Sequence, residues 1–92
     1  MGRVANSIRA KLTASLKPSR LDIVDESHRH AGHAGARPEG ESHFNVTVVS
    51  AAFAGQSRVT RQRAVYEILA AELKTDVHAL ALKTLTPEED AT

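Results

Sequence analysis

The sequence has no cysteine. It cannot form a disulfide, hold zinc by thiolate, or ligate an iron–sulfur cluster with sulfur of its own. Any metal it touches must be held through His or carboxylate, or shared with another molecule. Tryptophan is absent as well, and there are only two Phe and one Tyr, so the core must be aliphatic. No charge of one sign dominates: the formal net charge is +1, without the global basic field of an obligate nucleic-acid binder. No apolar run approaches the roughly 20 residues that span a bilayer, so no membrane role is expected. The N-terminus lacks the apolar segment of a secretory signal. Residues 3–16 are amphipathic and carry Arg and Ser, as a transit peptide would, but that helix is needed to cover a sheet. Cytoplasm is therefore the expected compartment. There is no nucleophile motif, phosphate-binding loop or paired-carboxylate context, and an enzyme is not expected.

What is present fits one small domain of 92 residues. Val4, Ile8, Leu12 and Leu16 recur every four residues, the apolar stripe of a helix. Pro18 ends it, because the residue before a proline is pushed out of the α region. Residues 20–25 read as a first strand. Phe44, Val46 and Val48 alternate with His43, Asn45 and Thr47, the clearest strand pattern in the chain. A second helix begins between Ser57 and Thr60, both good N-caps, and runs to about Leu73. Residues 77–83 read as a third strand, with His78, Leu80 and Leu82 on one side. The core spans about residues 4–86. Residues 87–92 have no apolar pattern and read as a flexible tail.

The order helix, strand, strand, helix, strand makes an α+β fold. The first two strands should be antiparallel. The second helix is the crossover of a βαβ unit, so the third strand should run parallel to the second. Both helices then cover one face of a three-stranded mixed sheet.

Between the first two strands lies DESHRHAGHAGARPEGESHF, Asp25 to Phe44, which carries His28, His30, His33 and His43, all but one of the histidines. A hairpin usually needs two to five loop residues, so a loop this long calls for a function. Histidine changes charge near neutral pH and is the commonest metal ligand. The spacing H-x-H-x-x-H suits several divalent metals and selects none. If the third strand is parallel to the second, His78 comes to the sheet end that carries the loop histidines and His43. Taken alone, His78 and His43 read as strand-end residues with structural roles. A hydrolytic zinc site of His30, His33 and His78 is conceivable but disfavoured. Arg58, Arg61 and Arg63 crowd the start of the second helix, the unfavourable end of its dipole for cations, and form a candidate contact for a partner or for nucleic acid.

Asp25-Glu26-Ser27 with His30, Gly40 to Ser50, Phe53 with Gly55 and Ser57, Val65-Tyr66 with Leu69, Glu72 and Leu73, and Val77 to Leu82 together resemble the signature of the BolA-like proteins. The match runs from about Ile8 to Pro87. The resemblance implies a fold like a class II KH domain. It also implies a monothiol glutaredoxin as partner, with a [2Fe–2S] cluster shared between the two proteins. Glutaredoxin cysteine and glutathione would supply sulfur. The V-H-A-L histidine, here His78, would be one ligand, and a loop residue, most naturally His30, a second. The isolated chain would bind no cluster. The AGHAGA stretch lengthens the loop, so His33 competes with His30. The family's frequent R-H-R reads Arg61-Gln62-Arg63 here, so any role of that histidine is absent. Paired His and Cys ligation of a two-iron cluster has a precedent in Rieske centres. Neutral imidazole must be the ligand, so binding should weaken below a pH of about 6.5. The alternative implied by the resemblance is a KH-like nucleic-acid-binding transcriptional regulator. A KH domain clamps the backbone with a GXXG loop, but the corresponding turn, Gly55-Gln56-Ser57-Arg58, lacks the second glycine.

Overall fold

A computed structural model describes residues 2–26, 43–75 and 77–91. The elements are α1 (Arg3–Leu16), β1 (Arg20–Asp25), β2 (His43–Val49), a 3₁₀ turn (Ala51–Phe53), α2 (Arg58–Ile68), α3 (Ala70–Thr75), β3 (Ala79–Leu85) and α4 (Pro87–Ala91). His28, His30 and His33 lie outside the described residues.

The sheet order is β1-β2-β3, with β1 antiparallel and β3 parallel to the central strand. The α+β architecture read from the sequence is thus the observed one. The register sets Ile23, Val46 and Leu82 in one row and Asp25, Phe44 and Leu80 in the next. Phe44, Val46 and Val48 are buried against Val4, Ile8 and Leu12 of α1 and Val65 of α2, with Leu69 and Phe53 completing the cluster. The helices therefore cover this face. The other face carries Asp22, Val24, Asn45, Ala81 and Lys83, all exposed. Full burial of one such aliphatic side chain contributes about 1.5–3 kcal/mol, so this single layer supplies most of the cohesion.

Local chemistry sets the boundaries. Lys17, just before Pro18, takes the left-handed conformation (φ 46°) and its N–H reaches the Thr13 carbonyl, closing α1. The Ser57 hydroxyl accepts from the Thr60 N–H at 3.2 Å, so Ser57 is the N-cap of α2. Buried Ser50 donates to the Leu16 carbonyl at 2.6 Å and accepts from the Ala52 N–H, tying the end of α1 to the turn after β2.

Three expectations need correction. The second helix does not run unbroken to Leu73. It breaks at Leu69 (φ −100°, ψ 17°) and resumes as α3. The break sets buried Glu72 under α1, where Ser7 and Lys11 bond it. The third strand starts at Ala79, not Val77. The Val77 N–H bonds the Glu72 carbonyl at 2.9 Å and so belongs to the end of α3, leaving His78 in the bend between the two elements. Lastly, residues 87–91 of the expected tail form α4. Thr86 and Glu89 make a reciprocal capping box: the Thr86 N–H donates to the Glu89 carboxylate at 2.8 Å, and the Glu89 N–H donates to the Thr86 hydroxyl at 3.2 Å.

Candidate metal centre at one end of the sheet

Because β2 and β3 are parallel, both begin at the same end of the sheet. His43 is the first residue of β2 and pairs with Ala79, the first of β3. His78 immediately precedes Ala79. The two imidazoles stack, with ring centroids 6.2 Å apart and planes inclined by 17°. His43 is half-buried and His78 exposed.

Each backbone is anchored. The Glu26 N–H donates to the His43 carbonyl at 2.8 Å, which fixes the first residue of β2 against the end of β1. The same bond brings the two flanks of residues 27–42 together at this end. His78 is held between buried Val77 and the β3 ladder. The rings are thus presented from the backbone, not from long mobile side chains.

Neutral imidazole offers one nitrogen lone pair to a metal. Among the described residues no group of three or more His, Cys, Asp or Glu could hold a metal ion. Two imidazoles in a chain without cysteine make half of a four-ligand set. A metal group held there would need its remaining ligands from outside the described residues. The pair alone does not make a closed site within the described residues.

Of the predicted site residues, His78 is therefore described and accessible, and His30 and His33 are not described. His43, assigned from the sequence to structure, is the side chain that the fold sets beside His78. The parallel direction of β3 expected from the sequence places His78 at the end of the sheet that carries His43; the register His43↔Ala79 makes the two direct neighbours.

The three arginines separate. Arg58 and Arg63 are exposed, whereas Arg61 is 6% exposed. Its guanidinium donates to the Gln56 carbonyl at 2.9 Å, the Thr84 carbonyl at 3.3 Å and the Glu89 carboxylate at 2.7 Å, and lies 5.9 Å from the Phe53 ring centre. The Arg61 hydrogen bond, followed by the Thr86 N–H, holds the Glu89 carboxyl down at about 2. Arg61 is committed inside the fold and drops out of any contact patch.

Among the described residues no helix is long and apolar enough to cross a membrane. Residues 12–89 match the family model for BolA-like proteins. The chain is 44% identical over 93 residues to SufE-like protein 1, chloroplastic/mitochondrial, of Arabidopsis thaliana, covering 97% of this chain and 25% of that protein. It is 46% identical over 86 residues to the DNA-binding transcriptional regulator BolA of Escherichia coli (strain K12), covering 94% of this chain and 78% of that one. The BolA domain of SufE1 from Arabidopsis thaliana superposes with a TM-score of 0.86 at 44% identity, over 97% of this chain and 98% of the other. The chain thus spans a quarter of one relative and most of another, and the names of its relatives do not share one compartment. From its sequence and its fold alike, the chain belongs to the BolA-like protein family.

Proposed function

We propose that this protein is the partner of a monothiol glutaredoxin and shares with it a glutathione-dependent [2Fe–2S] cluster, in iron–sulfur trafficking or in iron and redox sensing. The observation that carries this reading is the exposed His78 stacked on His43 at the sheet end, in a chain with no cysteine. His78 would be one ligand. His43, which stacks on His78, competes with His30 and His33 for a second. A bound cluster would supply one-electron and transfer chemistry. The chain's own task is to present neutral imidazole from a rigid strand junction and to leave the thiolate ligands to the partner and glutathione. The role is one of binding, not catalysis, with cytoplasm as the proposed compartment.

The test mixes the full chain with a cluster-loaded monothiol glutaredoxin and glutathione, and records visible circular dichroism and complex mass. A new spectrum and a one-to-one complex are expected, both lost with His78→Ala. Whichever of His43→Ala, His30→Ala and His33→Ala reproduces that loss names the second ligand. An unchanged spectrum on mixing would sink the proposal.

A second reading is nucleic-acid binding in transcriptional regulation. It is favoured by the relative named as a DNA-binding transcriptional regulator and by the exposure of Arg58 and Arg63. With Arg61 buried, two cations of that cluster remain for phosphate, so duplex affinity should have a shallow salt dependence. A duplex affinity indifferent to Arg58→Glu and Arg63→Glu would remove this reading.

A further inference from the structure

Away from the histidines, a cavity of about 100 Å³ is lined by Arg58 and Gln62 of α2 and by Leu82, Lys83, Thr84 and Leu85 of β3. Successive strand residues point to opposite faces of a sheet. A cavity lined by four in a row therefore lies against the edge of the strand. β3 is the last strand of the described sheet, so this edge has no neighbouring strand among the described residues.

The main-chain groups on that edge follow from alternation. The Ser50 N–H bonds the Leu85 carbonyl, so Leu85 faces β2, and Ala81 and Lys83 face it too. Leu80, Leu82 and Thr84 turn their N–H and C=O outward. The Thr84 carbonyl is taken by Arg61, which closes the edge at that point and leaves the Leu80–Leu82 stretch for a further strand. Beside it, Arg58 is exposed with no ion pair or side-chain hydrogen bond among the described residues. Lys83 is exposed on the strand itself and lies near Asp90. Val59, next to Arg58, and Tyr66, two turns further along α2, are 57% and 40% exposed, two of the three large apolar side chains that stand out among the described residues.

We propose that the edge of β3 beside α2 takes up an extended peptide carrying an Asp or Glu, which adds as a fourth strand. Main-chain bonds to Leu80 and Leu82 supply affinity, and the cavity with Arg58 and Gln62 receives the acidic side chain. This site is separate from the histidine end and does not depend on a cluster.

The test pans a displayed library of random short peptides on the full chain and titrates the enriched peptide into isotope-labelled protein. Enriched sequences should alternate apolar and polar residues around an acidic one, and amide shifts should concentrate at 58–62 and 80–85. N-methylation of the peptide amides that face β3 should abolish binding, while methylation of the intervening amides should spare it. Arg58→Glu should weaken binding about tenfold or more with an unchanged far-ultraviolet spectrum, and His78→Ala should bind as wild type. The proposal is overturned by lack of enrichment over a blocked surface, or by shifts that fall elsewhere. It is equally overturned by an N-methyl scan without alternation, or if oligothymidylate or a second copy of the chain occupies these residues in place of the peptide.

Discussion

The two ends of the sheet treat their polar side chains in opposite ways. At the end where β3 finishes, every group named is engaged. Arg61 spans Gln56, Thr84 and Glu89, Thr86 and Glu89 cap each other, and Arg20 of β1 pairs with Asp90. At the end where β2 and β3 begin, His43 and His78 meet as stacked rings, with His78 in solvent. Residues spent on cohesion are bonded several times over, and Arg61 among them is buried. His78, which the proposal gives to a partner, is fixed through its backbone and exposed at its side chain. Substitution should therefore separate stability from binding along the length of one sheet.

The largest effect on stability is expected from Arg61→Ala. It leaves the buried Thr84 carbonyl without its donor and frees Glu89 from its ion pair. Leaving such a buried acceptor unsatisfied costs about 1–3 kcal/mol, readable as a lowered midpoint in urea unfolding. Arg61→Lys should recover little, since an ammonium cannot span three acceptors arranged for a planar fork. A midpoint equal to wild type for Arg61→Ala would mean that the closed end is not a stabilising device.

The same end should show in the acid limb of stability. Glu89 is held at about 2, below its ordinary 4.5, first by Arg61 and then by the Thr86 N–H. A carboxyl lowered in the folded state binds fewer protons than in the unfolded one. Its contribution is full above about pH 4.5 and is lost as pH falls through that value toward 2. Glu89→Gln should flatten this limb, and stability measured between those two pH values in both proteins checks it. The partly offset Glu72 acts with the same sign. Burial raises its pKa, but hydrogen bonds from Lys11 and Ser7 and from its own N–H leave the net shift downward.

The contrast also marks how far the sequence could be read. The alternation of Phe44, Val46 and Val48, the four-residue stripe of α1 and the length of the β2–β3 crossover give strand order and direction, because each is a local period or a connection rule. Arg61 was misplaced for a physical reason. Burial of a cation depends on acceptors from Gln56, Thr84 and Glu89, which no local period announces. Residues 87–91 form a helix for a related reason, since Arg61 and Arg20 reach it from 28 and 70 positions away. One signal for it was in plain view: Thr86-Pro87-Glu88-Glu89 is a capping box with proline at the first helical position. His43 was assigned to structure because alternation alone turns it away from Phe44. The expected parallel direction already brings His78 to its end of the sheet, and the observed register makes the pairing close enough to stack.

A smaller loss, about 1 kcal/mol, is expected from Ser57→Ala, which removes the hydroxyl that caps α2. It is best measured beside Thr60→Ala. The Thr60 hydroxyl receives the Ser57 hydroxyl at 3.0 Å but bonds none of the helix's first N–H groups. Equal losses for the two would place the cap elsewhere.

The smallest expected effect on stability is the most telling for the comparison. His78 is exposed, outside the β3 ladder and outside the core cluster. An exposed substitution away from any such feature stays within about 0.5 kcal/mol, so His78→Ala should unfold with wild-type urea midpoint and slope. His43→Ala removes a half-buried ring that stacks on His78 and should cost more than His78→Ala. If His78→Ala instead destabilised the free chain as much as Arg61→Ala, the stacked pair would belong to the fold's cohesion. Loss of a shared cluster in that variant would then say nothing about ligation. If it left stability intact while abolishing the spectrum formed with glutaredoxin, side-chain exposure at this end would have a chemical purpose that the other end of the sheet lacks.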